Sequence, residues 1–190
     1  MRLILASQSP RRRELMEAAG YEFEVLVPDE GAESGEPDGD ATEVYVARLA
    51  VQKAADVAAR VTGPACVIAC DTVADCHGEI LGKPTDRSDA ERMLRQLSGR
   101  DHAVWSGLCV WNTATQEFDV ESVVSVLTMA PLSSEMLEAY LDSQAWQGKS
   151  GAFGYQDGHP WLRLVSGSSS NVVGLPLESL RTMLDRMAGS

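Results

Sequence analysis

The chain has 190 residues, enough for one α/β domain or two small lobes on a shared core, and enough to bury roughly two-thirds of its unfolded surface without disulfide staples. Its 28 acidic and 16 basic residues leave a formal net charge of −12, opposite to the broad positive field that grips a nucleic-acid backbone, so a nucleic-acid polymer is excluded as a partner. With 44% apolar and 23% charged residues the composition is that of a compact globular protein and excludes long disorder, collagen and coiled coil.

Residues 2–6 read as a short buried strand. Their apolar run is far shorter than the core of a signal peptide, and no stretch reaches the roughly 18 apolar residues of a membrane helix, which predicts a cytoplasmic protein that avoids membranes. Ser9 and Pro10 supply an N-cap and a first-turn proline for a helix to Ala19, which Gly20 ends. Residues 22–27 alternate as a second strand, and the acidic, Gly- and Pro-rich stretch 28–40 is a solvated loop. Thr42 caps a long helix to Arg60. Residues 65–70 form a buried strand that delivers Asp71 and Thr72 at its C-terminal edge, where open α/β sheets bind ligands. Gly78 turns a hairpin between residues 73–76 and 79–81, and Asp86 or Ser88 opens a helix to Leu97. Two long strands follow, one ending at Trp111 and one over 120–129. Ser133 opens a helix to Ser143, glycines 148, 151, 154 and 158 punctuate a loop-rich region, a strand runs over 161–165, and a last helix after Pro176 ends near Met187. The order implies a mixed twisted sheet flanked by helices, in a single domain with two lobes.

Four places carry chemistry on physical grounds. Ser7-Gln8-Ser9-Pro10-Arg11-Arg12-Arg13 is a strand-to-helix turn with free N–H groups, a positive helix dipole and guanidiniums, an anion site in outline. Successive helical residues point about 100° apart, so all three arginines cannot face one ligand. Arg11 and Arg12 are favoured over Arg13, with surface salt bridges as the alternative. Lys53 lies on the apolar stripe of Val46, Ala50, Ala54 and Val57, where an ammonium needs an anion or must snorkel to the edge. Asp71 suits a divalent metal or proton removal from water, with a turn cap as the alternative. Lys83, in a Gly-Lys-Pro turn, is directed toward the same edge. Arg48 and Arg60 read as solvated. The stretch 148–156 lacks the spacing of a P-loop or a dinucleotide fingerprint and reads as a loop. His77, His102 and His159 are scattered and structural, and the four cysteines read as buried thiols rather than a zinc site.

Taken in order, Leu5-Ala6-Ser7-Gln8-Ser9-Pro10-Arg11-Arg12, Ala47-Arg48-Leu49-Ala50 through Lys53-Ala54, Cys70-Asp71-Thr72-Val73, Ile80-Leu81-Gly82-Lys83-Pro84, residues 93–102, residues 149–156 and residues 171–177 resemble the motifs of the Maf family of nucleoside triphosphate pyrophosphatases. The resemblance implies a two-lobed α/β fold with a central nucleotide-binding cleft, often homodimeric, that cleaves a nucleoside triphosphate to the monophosphate and pyrophosphate with Mg²⁺ or Mn²⁺. Carried over, Asp71 is the proton acceptor and a metal ligand. Ser7, Arg12, Lys53 and Lys83 hold the phosphates, and an acid of the 28–40 loop, Glu33 in preference to Glu30, completes the metal site. Arg11, Thr72 and Gln156 match the selectivity positions of the subfamily acting on dTTP and UTP, where a 7-methyl-GTP enzyme carries Trp, Gln and Glu. Cys70, Ser150 and Tyr155 depart from the usual Ala, Ala and Ile, mostly on the base-binding side. Modified pyrimidine nucleotides share the same chemistry, and a nucleotide-sensing regulator of cell division is the alternative from another class.

Overall fold

The structure, a computed structural model, describes residues 2–35 and 39–188; residues 36–38 of the expected acidic loop lie outside the described residues. The first half holds β1 (Leu3–Leu5), α1 (Pro10–Ala18), β2 (Glu24–Val25), α2 (Thr42–Arg60), β3 (Cys66–Cys76), β4 (Glu79–Leu81) and α3 (Arg87–Leu97). The second half holds β5 (Asp101–Asn112), β6 (Phe118–Met129), α4 (Ser134–Asp142), β7 (Leu162–Ser166), α5 (Ser169–Val173) and α6 (Leu177–Ala188). The strands form a mixed seven-stranded sheet in the order β2-β1-β3-β5-β6-β7, with β4 paired to β3. β1 runs parallel to β2 and β3, whereas β3 with β4 and β6 with β7 are antiparallel.

The chain divides into two compact units, one of Met1–Thr72, Ser106–Val123 and Gly174–Ser190, the other of Val73–Trp105 and Val124–Val173. In the first, strand alternation sorts side chains onto two cores. Leu5, Cys66, Ile68, Cys70, Leu108 and Val110 point to the side carrying Met16 of α1 and Leu180 and Met183 of α6. Ile4, Ala6, Val67, Ala69 and Cys109 point to the opposite side, against Ala50, Ala54 and Val57 of α2. Both sheet faces are therefore covered, which is why residues 66–70 read as an unbroken apolar run. Small alanines let α2 lie close to the sheet, and Gly107 completes the fit, because a Cβ there would overlap the Val46 carbonyl. In the second unit, Ala90, Met93, Leu94 and Leu97 of α3 pack with Leu137 and Leu141 of α4, Leu127 and Met129 of β6, and Phe153 and Trp161. Each large apolar side chain so buried contributes about 1.5–3 kcal/mol.

Several expected boundaries move. β2 has two residues rather than spanning 22–27, because it sits at the sheet edge on a β1 only three residues long and pairs just Glu24 and Val25. The strand expected over 65–70 and the hairpin strand expected over 73–76 are one 11-residue strand, β3, since Asp71 and Thr72 stay extended. Thr42 is the first helical residue of α2 and buried, and the N-cap position falls to Ala41. Ser9 occupies the N-cap of α1 with extended backbone but makes no side-chain cap bond. Asp86 and Ser133 do cap, accepting from the N–H groups of Asp89 and Met136 at 2.8 and 3.2 Å. α5 was not foreseen, and the loop-rich region contains two single 3₁₀ turns, Ser150–Ala152 and Tyr155–Asp157.

Candidate functional site

Strand alternation decides what Asp71 and Thr72 each meet. Cys70 faces the α1 and α6 side, so Asp71 faces α2 and Thr72 faces α1. On the α2 side, Lys53 Nζ donates to Asp71 Oδ1 at 2.5 Å and pairs with Glu33 Oε1 at 3.1 Å. The Lys53 side chain is 10% exposed and that of Asp71 14%, whereas Glu33 at 45% stands at the solvent edge. The expected conflict between an ammonium and an apolar stripe is thus resolved by anions rather than by snorkelling. An ammonium so deeply placed is tolerable only with such partners, and removing both would leave a buried charge uncompensated. Two carboxylates against one ammonium give this cluster a formal charge of −1.

The described part of the 28–40 loop, expected in solvent, lies along α2. The Arg60 guanidinium bonds the Val27 carbonyl at 2.8 Å and pairs with Asp29 and Asp56. Arg48 donates to the Ser34 carbonyl at 2.7 Å and pairs with Asp40, and the Ser34 N–H donates to Gln52 Oε1 at 3.1 Å. Arg48 and Arg60, expected in solvent, are therefore clamps on either side of Glu33. The reason is local: a loop of like charges needs cations to stay near the helix, and Arg48, Gln52, Asp56 and Arg60 repeat every four residues along one helix face. Among the described residues of the loop, Glu33 and not Glu30 is the acid that reaches Lys53.

On the α1 side, Arg12 Nε donates to the Gly174 carbonyl at 2.7 Å, Nη2 to Thr72 Oγ1 at 3.3 Å and Nη1 to Ser7 Oγ at 3.4 Å. Ser7 Oγ also accepts from the Ser9 N–H at 3.1 Å, and Thr72 Oγ1 lies 2.8 Å from Ser106 Oγ. Among the described residues all of Arg12's bonds go to neutral acceptors, so its charge is held in place without being cancelled there, at the N-terminal turn of α1, where the dipole adds to it. Beneath it, burial pushes the Cys70 thiol up while the Arg12 guanidinium pulls the other way, and Cys70 remains a neutral packing group. All four cysteines are buried and unpaired with one another. Arg13 is exposed and pairs with Glu17 at 3.0 Å, the surface role weighed for it. Arg11 is half-buried.

Lys83 and Gln156 belong to the second unit, both exposed, on turns that are joined by a 3.0 Å bond from the Gly151 N–H to the Gly82 carbonyl. Within the first unit the structure brings together Ser7, Arg12 and Thr72 on one face of β3 and Glu33, Lys53 and Asp71 on the other. Sequence reasoning missed Ser106, which sits in an ordinary alternating strand, and the Gly174 carbonyl, which as a backbone group leaves no trace in residue type. His77 lies in a turn, His102 is buried edge-on to Phe153, and His159 stacks on Trp161. Among the described residues no group of three or more His, Cys, Asp or Glu is arranged to hold a metal, and no helix is long and apolar enough to cross a membrane.

Comparison with known proteins finds relatives along nearly the whole chain. A protein named dTTP/UTP pyrophosphatase from Rhodopirellula baltica is 51% identical over 96% of this chain and 81% of its own length. One of the same name from Geotalea uraniireducens is 42% identical over 97% and 94%. Among solved structures, a HAM1 protein from Coxiella burnetii superposes with a TM-score of 0.54 at 17% identity, covering 98% of this chain and 99% of that one, a likeness of fold alone. The sequence profile described as Maf-like protein matches residues 2–187, a span that takes in both faces of β3, the Lys83 turn and the Gln156 loop, and the chain belongs to that family.

Proposed function

We propose that this chain hydrolyses nucleoside triphosphates to the monophosphate and pyrophosphate, with dTTP and UTP preferred and modified pyrimidine nucleotides within range. The observation that carries the reading is the opposite charge held on the two faces of β3: an uncancelled guanidinium among Ser7 and Thr72, and a carboxylate pair around Lys53. Relatives named dTTP/UTP pyrophosphatase at up to 51% identity support the substrate class. A triphosphate carries several negative charges that must be neutralised before water can attack phosphorus, and fixed cations serve that purpose best.

Arg12, Ser7 and the free N–H groups of α1 bind phosphate oxygens, and Lys53 and Lys83 add ammonium groups. Asp71 takes the proton from the attacking water as the α–β anhydride bond breaks and pyrophosphate leaves. Arg11, Thr72 and Gln156 set the preference for a pyrimidine base. The oxygen-only donor pair of Glu33 and Asp71, with charge in excess of Lys53, fits a hard divalent cation such as Mg²⁺ or Mn²⁺, which takes one or two carboxylates and fills its shell with water and phosphate. When bound, such a cation neutralises phosphate charge and makes water more acidic. A cytoplasmic homodimer in which residues 1–190 act as one catalytic domain belongs to the same reading. Pyrophosphate release from a panel of dTTP, UTP, CTP, 7-methyl-GTP and a methylated pyrimidine triphosphate, with Mg²⁺ or Mn²⁺, tests it. Turnover concentrated on dTTP and UTP is expected. Turnover of another base keeps the reaction and overturns the selectivity, and nucleotide binding without turnover overturns the reaction.

A further inference from the structure

The loop that presents Gln156 is built around an ion pair that the reaction does not use. Gln156 is the middle residue of the single turn Tyr155–Asp157, which closes through Asp157 N–H to Gly154 O and Gly158 N–H to Tyr155 O, both at 3.3 Å. From that turn the Asp157 carboxylate reaches back over Gly154 to Lys149 Nζ, at the start of the preceding turn Ser150–Ala152. The two side chains are only 25% and 12% exposed. Gly154 lies directly beneath the pair. Its backbone, at φ −120° and ψ 115°, is one any residue adopts, yet a Cβ there would overlap both Lys149 Nζ and the Asp157 carboxylate. The glycine is therefore explained by the ion pair above it and not by the chain path. Around the same carboxylate stand His159 Nε2 at 3.8 Å and the buried ring of Tyr140, whose hydroxyl is pushed up by burial and then by the Asp157 charge. The loop needs such a fastening, because Gly148, Gly151, Ala152 and Gly158 all have positive φ and none of the two turns exceeds three residues.

We infer that the Lys149–Asp157 pair, closed over Gly154, is a latch that holds Gln156 in its base-reading position, making Lys149 and Asp157 positioning residues for nucleotide selectivity. This rests on the reading of Gln156 as a contact to the base. An exposed glutamine on an unfastened loop must be ordered at each binding event, and that cost falls on affinity for the preferred base rather than on the chemical step. The 3.0 Å bond from Gly151 N–H to Gly82 O ties the start of the same loop to a neighbouring turn.

The test compares Lys149→Met, Asp157→Asn, Gly154→Ala and Gln156→Ala with the parent chain, reading kcat and KM for dTTP, UTP and CTP by pyrophosphate release, together with the melting temperature. Each latch variant is expected to raise KM for dTTP and UTP about fivefold to tenfold, the weight of roughly one hydrogen bond, with kcat within about twofold and discrimination against CTP reduced in the direction of Gln156→Ala. Asp157→Asn is expected to exceed Lys149→Met, because it strands the more buried partner. Gly154→Ala placed on top of Asp157→Asn adds less than about twofold, since both remove one interaction. Unchanged selectivity in the latch variants beside a selectivity loss in Gln156→Ala overturns the latch and leaves the reading of Gln156 standing. No selectivity change in Gln156→Ala overturns that reading and the latch with it. An equal loss on all three nucleotides with a lowered melting temperature makes the pair a structural brace only and overturns the positioning role.

Discussion

The two faces of β3 differ by one residue step and by the sign of the charge they hold. At Asp71 the strand meets a lysine outnumbered by carboxylates; at Thr72 it meets an arginine whose partners are all neutral. The first arrangement attracts a cation and the second an anion. Neither is a stability device in the ordinary sense, since a buried pair such as Lys53–Asp71 is commonly no better than apolar packing would be. What the contrast teaches is that a period-2 strand can serve two unlike charge environments from consecutive positions, because its side chains alternate sides without any bend in the backbone. A metal–triphosphate complex, which carries both signs, is the ligand that the proposed function sets against the middle of this strand.

The contrast can be broken from either side. Lys53→Met keeps the stem packing on the α2 stripe but removes the charge, and kcat for dTTP is expected to fall on the order of 10²-fold in a steady-state pyrophosphate assay. A change of less than about threefold would place Lys53 outside the phosphate-binding set. Arg12→Lys keeps the charge and loses the planar fork that spans Gly174, Thr72 and Ser7, so a rise in KM of about tenfold with a smaller change in kcat is expected. Equal kinetics would mean that charge alone, and not its fixed direction, matters there. A further effect, on stability and not on turnover, lies away from catalysis, in the second unit. Burial pushes His102 down to about 4 from its ordinary 6.5. In the unfolded chain it takes a proton near that ordinary value, so stability falls as pH drops from about 6.5 towards 4, by about 3 kcal/mol over the window, and is untouched above it. Denaturant unfolding of the parent and of His102→Phe across that range should show the steeper slope in the parent; parallel slopes would remove His102 as the cause.

Much of the first face was legible in the residues. A lysine on an apolar stripe and a carboxylate after an apolar strand are each a conflict between residue type and place, and conflicts of that kind mark partners. The partnership itself was not legible, because it joins positions 18 residues apart through packing that only the closed sheet and α2 create. The clamping of the acidic loop by Arg48 and Arg60 was missed because charged residues on an exposed helix face look solvated unless the loop's path is known. Polar residues after an apolar run look like the end of a strand, whereas Asp71 and Thr72 remain within β3 with their polar groups satisfied from both sides. Lys83 and Gln156 drew their roles from family resemblance alone, and nothing in the spacing of residues 148–158 announced that Asp157 folds back over Gly154.

Asp71 is where the two environments meet, and its substitution tests the account most directly. Asp71→Asn is nearly isosteric, keeps a group within reach of Lys53 and leaves Arg12 untouched. Mg²⁺-dependent pyrophosphate release from dTTP is expected to fall by on the order of 10³-fold or more, with the melting temperature and nucleotide affinity largely kept. Turnover close to that of the parent chain would contradict the assignment of Asp71 as the proton acceptor and with it the division of labour across β3.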